Sequence, residues 1–386
     1  MDSSNNNSYE TNFGLELFTN LLLQTNDSNA EACDEGNICI SPFLLEALLS
    51  LVYLGSDGKT AEELKEKLQL QRFPNNGKMA NYFAGNLAIV TQESIDTQLE
   101  MCSRILVNDN YELDSQFKKI SENYFLTLSQ QLKFEDKEEV LKVIRNSIEK
   151  SLKRCSNLRI AENAKALLVL AANFKNKWFL PFSAYRSGLY DFHVTGESIK
   201  SIPMMLDNEM MVKFVELKEL DARVVELPYE HDDELSMLLI LPNKRDGLRE
   251  LELKLKEVNL SQVTEQMQME SVQLLLPKFK IDFECSLKQI LEKMGFSLMF
   301  GEESNFKNLL APNSASNVLP FSDVWHKACI EVHESGSEPA KVEATKPIVI
   351  SNSIDSRQKF FRADHPFFFA IRNREATFFV GHVKKF

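Results

Sequence analysis

The sequence predicts an α+β fold with large mixed or antiparallel sheets, because helical patterns fill its first third and strand patterns dominate from about residue 166. Several of these strands carry apolar residues at successive positions, as strands that are covered on both faces do. The chain has 386 residues, of which 44% are hydrophobic, so it is long enough to bury a substantial core. No repeat, linker or Pro/Gly stretch divides it, and we therefore predict a single domain over residues 1–386.

The first third of the chain contains three predicted helices. The first helix has an apolar face made by Phe13, Leu17 and Leu21. Ser41 and Pro42 supply a cap and a first-turn proline for the second helix, which we expect to end at Gly55. Thr60 and Glu63 have the spacing of a capping box, in which each side chain accepts a hydrogen bond from a free backbone N–H of the third helix.

One more helix is predicted among the strands, where Ser286 and Gln289 form a second capping box and Gly295 ends the helix. Strands are predicted at residues 166–174, 223–228, 235–241, 272–279, 329–333, 366–371 and 376–381.

Charge and composition exclude several classes of partner. The net charge of −12 argues against nucleic acid or an anionic membrane, since no basic surface is available to displace phosphate counterions. The apolar run at 166–172 is far shorter than the roughly 20 residues that cross a bilayer. The polar start lacks a secretory signal, so we expect a cytoplasmic protein, or an extracellular one if a leader was removed. The six cysteines show no C-x-x-C spacing and are expected to be buried free thiols.

The chain carries no motif of a hydrolase, metalloprotease, nucleotide-binding loop or dinucleotide enzyme, and its histidines lack metal-ligand spacing. We therefore predict no enzymatic activity, no metal and no cofactor. One segment stands apart: a long polar stretch at 334–359 that contains an apolar island at 347–350. A connection of this length is usually functional or disordered.

Short segments along nearly the whole chain, all in the family's order, resemble the serpin family. They are NICISP at 37–42, YLG at 53–55, TAEEL at 60–64, NFKNKWFLPF at 173–182, LPKFK at 276–280, SDVWHKA at 322–328 and ADHPF at 363–367. The resemblance implies a single domain with three β-sheets and about nine helices. It also identifies residues 334–360 as an exposed reactive-centre loop.

In that family the loop is bait for a protease, which attacks it and forms an acyl-enzyme. The cut loop then inserts as a new strand in the main sheet and distorts the protease. Because the nucleophile belongs to the target, the chain itself needs no catalytic group. The resemblance therefore implies a monomeric protease inhibitor whose partner is the target protease.

The region where the sheet must open departs from the family at two positions. Typical members carry Ser and Asn where this chain has Leu44 and Leu170, whereas Ser41, Trp178 and His326 are retained. Replacing both polar partners by an apolar contact can be nearly neutral in free energy. We expect a changed barrier to sheet opening.

The hinge of the loop also departs from the family. The residues that resemble an inhibitory hinge are Glu334, Gly336 and Ser337. Because an inserting strand alternates faces, the residues that turn inward with Ser337 are Pro339, Lys341, Glu343 and Pro347. Each buried charge costs on the order of several kcal/mol unless it is paired, and each proline removes a ladder hydrogen bond. We therefore predict impaired or atypical insertion.

The reactive bond has two candidate positions. Typical members are cut about sixteen residues beyond the hinge glutamate, which indicates Ile350-Ser351, whereas counting back from residues 363–366 indicates Asn352-Ser353. Neither position offers Arg or Lys, so a trypsin-like target is disfavoured. Val349, together with Ile348, favours a papain-like cysteine protease. Such enzymes select mainly through an apolar side chain on the residue that precedes the cleaved one, and Val349 precedes Ile350. An elastase-like serine protease is the second choice.

Two alternatives to an inhibitor remain at this point. The first is a non-inhibitory binding or storage protein with the same fold. The second is an enzyme that uses Cys329 or His326 as nucleophile or base.

Overall fold

The computed structural model describes residues 11–24, 36–91, 97–149, 160–195, 198–230, 235–314, 316–337 and 358–386. The α-helices within these ranges are α1 (Phe13–Gln24), α2 (Pro42–Gly55), α3 (Gly58–Lys67), α4 (Asn76–Thr91), α5 (Ser115–Phe125), α6 (Lys137–Glu149), α7 (Leu248–Leu255), α8 (Leu260–Glu265) and α9 (Lys288–Lys293). Within those ranges, every helix is too short or too polar to span a bilayer.

The strands of the same ranges are β1 (Ile38–Ile40), β2 (Thr97–Asn108), β3 (Thr127–Leu132), β4 (Ala166–Asn176), β5 (Gly188–His193), β6 (Ile199–Leu217), β7 (Ala222–Pro228), β8 (Ser236–Pro242), β9 (Gln268–Pro277), β10 (Phe279–Ser286), β11 (Phe321–Val332), β12 (Lys359–Arg362), β13 (Phe367–Arg372) and β14 (Thr377–Val383). The predicted α+β class with mixed sheets is confirmed.

A five-stranded sheet has the order β10-β11-β4-β2-β3. Its two central strands, β4 and β11, are parallel neighbours, paired from Phe321 opposite Ala166 to Ile330 opposite Phe174. The outer neighbours β2 and β10 run antiparallel to them. The centre of this sheet is therefore a parallel pair whose strands are far apart in the sequence.

The remaining strands join in one nine-stranded network, where the resemblance implies two further sheets. The join is made by β6, which is 19 residues long and pairs with three strands along its length. It pairs with β5 near its start, with β9 in its middle and with β7 near its end. A single long strand thus links parts that shorter strands would leave as separate sheets.

Strand β4 is buried on both faces, which explains its run of successive apolar residues. One face lies in the main core and carries Ala166, Leu168, Leu170, Ala172 and Phe174. The other face packs in a second cluster with α6, and this cluster contains Leu167, Val169, Ala171, Val140, Ile144 and Ile148. Burying each Leu, Ile or Val in this way contributes roughly 1.5–3 kcal/mol, so α6 is held over β4 by apolar contact.

Some predicted boundaries are wrong. The segment predicted as one strand at 272–279 is the end of β9 and the start of β10, which are separated at Lys278, whose N–H donates to Pro203 O at 3.0 Å. The strand expected at 329–333 begins eight residues earlier, at Phe321. The first third is not purely helical, because β1 and β2 lie within it.

Both predicted capping boxes are also wrong, although their helices exist. Helix α3 begins before Thr60, whose hydroxyl accepts from the N–H of Asn305 at 3.0 Å, and Glu63 accepts from the N–H of Leu298 at 2.8 Å. Before α9, the Ser286 hydroxyl donates to Asp323 at 2.5 Å. These side chains bind distant loops and strands instead of their own helix ends. The predicted helix stop at Gly295 is confirmed by its φ of +92°.

Candidate functional site

The chain that leaves β11 forms a tight turn, which is the hinge of the predicted loop. The N–H of His333 donates to Gly336 O at 2.8 Å, and the N–H of Gly336 donates to His333 O at 3.1 Å. Gly336 has a φ of +147°, and a Cβ there would lie 2.0 Å from Asn176 O. Only glycine fits such a position, because the backbone of β4 occupies the space of a side chain.

Ser337 is already paired with the end of β4. Its N–H donates to Asn176 O at 2.6 Å, and its carbonyl accepts from the N–H of Asn176 at 3.2 Å. This reciprocal pair is the pattern of an antiparallel ladder. Ser337 is fully buried, and its hydroxyl lies 3.1 Å from the Tyr229 hydroxyl. Burial raises the pKa of Tyr229, so the phenol keeps its proton for this hydrogen bond.

Trp178 holds the hinge turn from the β4 side. Its ring stacks on Tyr229 with centroids 4.7 Å apart and planes 11° apart. Its indole N–H donates to His333 O at 2.9 Å, and its backbone N–H donates to Ser335 O at 2.8 Å. The retained tryptophan therefore fixes the conformation of the turn that presents Ser337 to β4.

Glu334 anchors the start of the hinge. Its carboxylate forms an ion pair with Lys278, and its carbonyl accepts from the N–H of Phe182 at 2.9 Å. Burial is the largest single influence and opposes ionisation, but the hydrogen bonds to the carboxylate and the charge of Lys278 together outweigh it, and the pKa of Glu334 is lowered. The anionic form is thus built into the turn.

Like Trp178, the other four predicted sheet-opening residues, Ser41, Leu44, Leu170 and His326, are buried, and they lie farther along the sheet. His326 lies on β11 directly opposite Leu170 on β4. The N–H of Ser41 donates to His326 Nε2 at 3.1 Å, while the Ser41 hydroxyl donates to Phe378 O at 2.7 Å. Ser41 therefore serves as a link between strands and makes no side-chain cap for α2.

His326 is held neutral in this environment. Burial lowers its pKa to about 3, and the backbone of Leu170 raises it only in part. Because Nε2 accepts a hydrogen bond, the proton of the neutral ring is on Nδ1. Among the described residues, Nδ1 makes no hydrogen bond of normal geometry. One polar atom thus lies unsatisfied between the two strands that must part.

Several predicted site residues lie outside the described residues. These are Pro339, Lys341, Glu343, Pro347, Ile348, Val349, Ile350, Ser351, Asn352 and Ser353. At the far end of the predicted loop 334–360, Lys359 and Phe360 already belong to β12 and pair with β9. Sequence reasoning missed Tyr229, Asn176 and Lys278 as hinge partners, since nothing in their local sequence points to the hinge.

The thiol of Cys329 is poorly suited to nucleophilic chemistry. Burial, with the nearby Asp282 carboxylate, raises its pKa to about 12, so the thiolate is scarce at neutral pH. The described cysteines are all free, with Cys39, Cys102 and Cys285 buried and Cys329 half-buried. Cys33 and Cys155 lie outside the described residues.

The fold and hinge correspond to a known class. The family profile described as "Serpin (serine protease inhibitor)" matches residues 8–385. This chain therefore belongs to the serpin family, which is described as a family of protease inhibitors and not of catalysts, and the prediction that it is not an enzyme is confirmed.

Individual relatives agree with this assignment. Serine protease inhibitor 42Dd of Drosophila melanogaster is 34% identical over 356 residues, which covers 90% of this chain and 91% of the relative. Leukocyte elastase inhibitor of Xenopus laevis is 30% identical and covers 94% of each chain. The crystal structure of Serpin48, a highly specific serpin of the insect Tenebrio molitor, has a TM-score of 0.83 at 25% identity, covering 97% of this chain and 96% of that one.

Proposed function

We propose that this chain is a monomeric inhibitor that presents residues 338–357 as bait to a protease and then inserts part of that segment between β4 and β11. The reciprocal hydrogen bonding of Ser337 with Asn176 supports this most strongly. It begins an antiparallel strand on β4 before any cleavage. The names of relatives, including a serine protease inhibitor and a leukocyte elastase inhibitor, support the same activity.

The register of Ser337 on Asn176 can be continued along β4. In an antiparallel pair, each step forward on one strand is a step back on the other. The inward residues would then be Pro339 opposite Phe174, Lys341 opposite Ala172, and Glu343 opposite Leu170. All three β4 partners belong to the main core. Lys341 would therefore bring a charge into apolar surroundings, at a cost on the order of several kcal/mol.

Glu343 would meet a different environment from Lys341. Its β4 partner Leu170 is level with His326 on β11, so the carboxylate would arrive beside an imidazole that has an unsatisfied Nδ1. A proton shared between the two groups would satisfy both and would remove most of the cost of burying Glu343. On this basis Pro339 and Lys341 are the main obstacles to insertion, and Glu343 is tolerated.

The target class follows from the apolar island of the loop. We place the reactive bond at Ile350-Ser351, with Asn352-Ser353 as the alternative. Val349 and Ile348 would enter apolar pockets of a papain-like cysteine protease, or of an elastase-like serine protease. The absence of Arg and Lys at either bond disfavours trypsin-like enzymes.

Incubation with a papain-like enzyme, an elastase and trypsin tests this proposal. We expect a loss of papain-like or elastase activity at excess inhibitor, covalent complexes that break down with time because insertion is impaired, and fragment masses that indicate a cut after Ile350 or Asn352. The substitution Val349→Asp should weaken the effect on the cysteine protease, because it places a charge in an apolar pocket. Strong inhibition of trypsin alone, with a cut after Arg357, would contradict it.

A non-inhibitory binding or storage protein is the second candidate. The inward Pro339 and Lys341 favour it, since a loop that cannot insert cannot trap an acyl-enzyme. Rapid cleavage of the loop by every protease, without any loss of protease activity, would decide for this second candidate.

A further inference from the structure

A short exposed apolar segment lies beside the hinge. Within residues 179–185, Phe179 is 61% exposed, Leu180 is 40% exposed and Tyr185 is 95% exposed. Pro181 and Ala184 are exposed as well. Clustered apolar side chains on a protein surface commonly mark an interaction site. We refer to residues 179–185 as the apolar platform.

The platform lies between the two ends of the predicted loop, which are the hinge before Ser337 and the segment that begins at Gln358. On the departing side, the N–H of Phe182 donates to Glu334 O at 2.9 Å. On the returning side, Arg186 lies 3.7 Å from Asp207, and the side chain of Gln358 donates to the carbonyl of the adjacent Asn208 at 2.6 Å. The platform therefore lies between the two ends of the segment that a target protease would grip.

The platform is held rigidly from below. The N–H of Phe179 donates to Pro228 O at 3.0 Å, and the neighbouring Trp178 is stacked on Tyr229. The side chain of Phe182 is buried beneath the segment. Exposed Tyr and Phe side chains on a rigid support lose little conformational freedom on binding and are common hot spots of interfaces.

We propose that the apolar platform docks the body of the protease whose active site engages the loop, in addition to the contacts made by the loop itself. This rests on the proposed function as an inhibitor. The partner surface that fits is apolar with a basic rim, because Asp191 and Glu209 are exposed nearby and the chain carries a net charge of −12. The same charge disfavours a second copy of this chain as the occupant, since two copies repel each other.

The proposal is tested by measuring a second-order rate constant. For a protease that is inhibited, it is the rate constant of trapping; for one that is not, it is the rate constant of loop cleavage. Tyr185→Ala and Phe179→Ser together should lower this rate constant about tenfold or more, because docking precedes the reaction and its loss shortens the encounter. Tyr185→Phe should keep most of the rate. Tyr124→Ala, at a tyrosine of α5 that is 39% exposed, is the matched control and should leave the rate unchanged.

Several results would overturn the proposal. Rate constants of the double variant within twofold of wild type would do so, as would a wild-type chain whose loop no protease traps or cuts. A concentration-dependent dimer in sedimentation that Tyr185→Ala abolishes would assign the platform to a second copy. Loop cleavage without any loss of protease activity would instead refute the proposed inhibition, while the cleavage rates of the variants would still test the platform.

Discussion

At the scale of single residues, His326 is a neutral, buried imidazole in the sheet, and this makes the native state sensitive to acid. Its pKa is about 3 in the folded chain, against about 6.5 when exposed in the unfolded chain. The unfolded state therefore binds the extra proton between these values. The stabilising contribution of the neutral ring is complete above pH 6.5 and is lost as the pH falls.

We expect this single group to remove about 1.4 kcal/mol of unfolding free energy by pH 5.5. His326→Gln retains an acceptor for the N–H of Ser41 but does not titrate. Denaturant unfolding at pH 7.5 and 5.5 should thus show a smaller loss for the variant than for wild type. Equal losses in the two proteins would show that His326 does not titrate in this way.

Gly336 is the residue with the least freedom to change. In Gly336→Ala the new Cβ would lie 2.0 Å from Asn176 O, at a φ of +147°, so the hinge must move off β4. We expect a loss of about 2–4 kcal/mol in unfolding free energy and release of Ser337 from Tyr229. Gly85→Ala is the control, since nothing lies within 4 Å of a Cβ there and alanine favours the helix by about 1 kcal/mol. Equal melting temperatures for Gly336→Ala and wild type would contradict this.

At the scale of elements, we expect the free energy of loop insertion to depend on which face of the inserting strand carries a charge. Exchanging two neighbours, in the double variant Ala340→Lys and Lys341→Ala, keeps the composition and moves the charge from the core side to the α6 side. The register places position 340 opposite Asn173, which is only half-buried. We expect the variant, after loop cleavage, to gain thermal stability relative to cleaved wild type. A cleaved variant that melts at or below the temperature of cleaved wild type would refute the register.

Glu343 provides a second test of the same register. If it meets His326 in the inserted strand, the inserted state binds a proton that neither group binds in the native state at neutral pH. By linkage, a lower pH then favours insertion. The difference in melting temperature between cleaved and native chain should increase from pH 7.5 to 5.5, and Glu343→Gln should abolish this increase. A pH-independent difference in wild type would exclude the pair.

The sequence predicts elements better than it predicts their partners. Helix α2 and strand β4 follow from local patterns, because a proline at a helix start and an unbroken apolar run act within a few residues. Thr60 and Ser286 misled the capping predictions, since their hydroxyls bind groups that are distant in the chain. Tyr229 was missed for the same reason, as it meets Ser337 across 108 positions of sequence.

At the scale of the whole molecule, the five-stranded sheet combines a hinge that has begun to pair with a loop that is poorly suited to follow. Ser337 is already hydrogen-bonded to β4. Beyond this point β4 and β11 are paired directly with each other, so the sheet is closed there. On the proposed function, the hinge has begun the first step of insertion, and we expect Pro339 and Lys341 to oppose the later ones. This balance separates this chain from a serpin whose hinge carries only small residues.

Calorimetry of the native chain and of the chain cleaved within residues 338–357 tests the central claim most directly. We expect the two melting temperatures to lie within about 5 °C of each other, because Pro339 and Lys341 offset most of the gain from an added strand. A rise on the order of tens of degrees in the unmutated, cleaved chain would show that the sheet accepts these residues, and would contradict the claim.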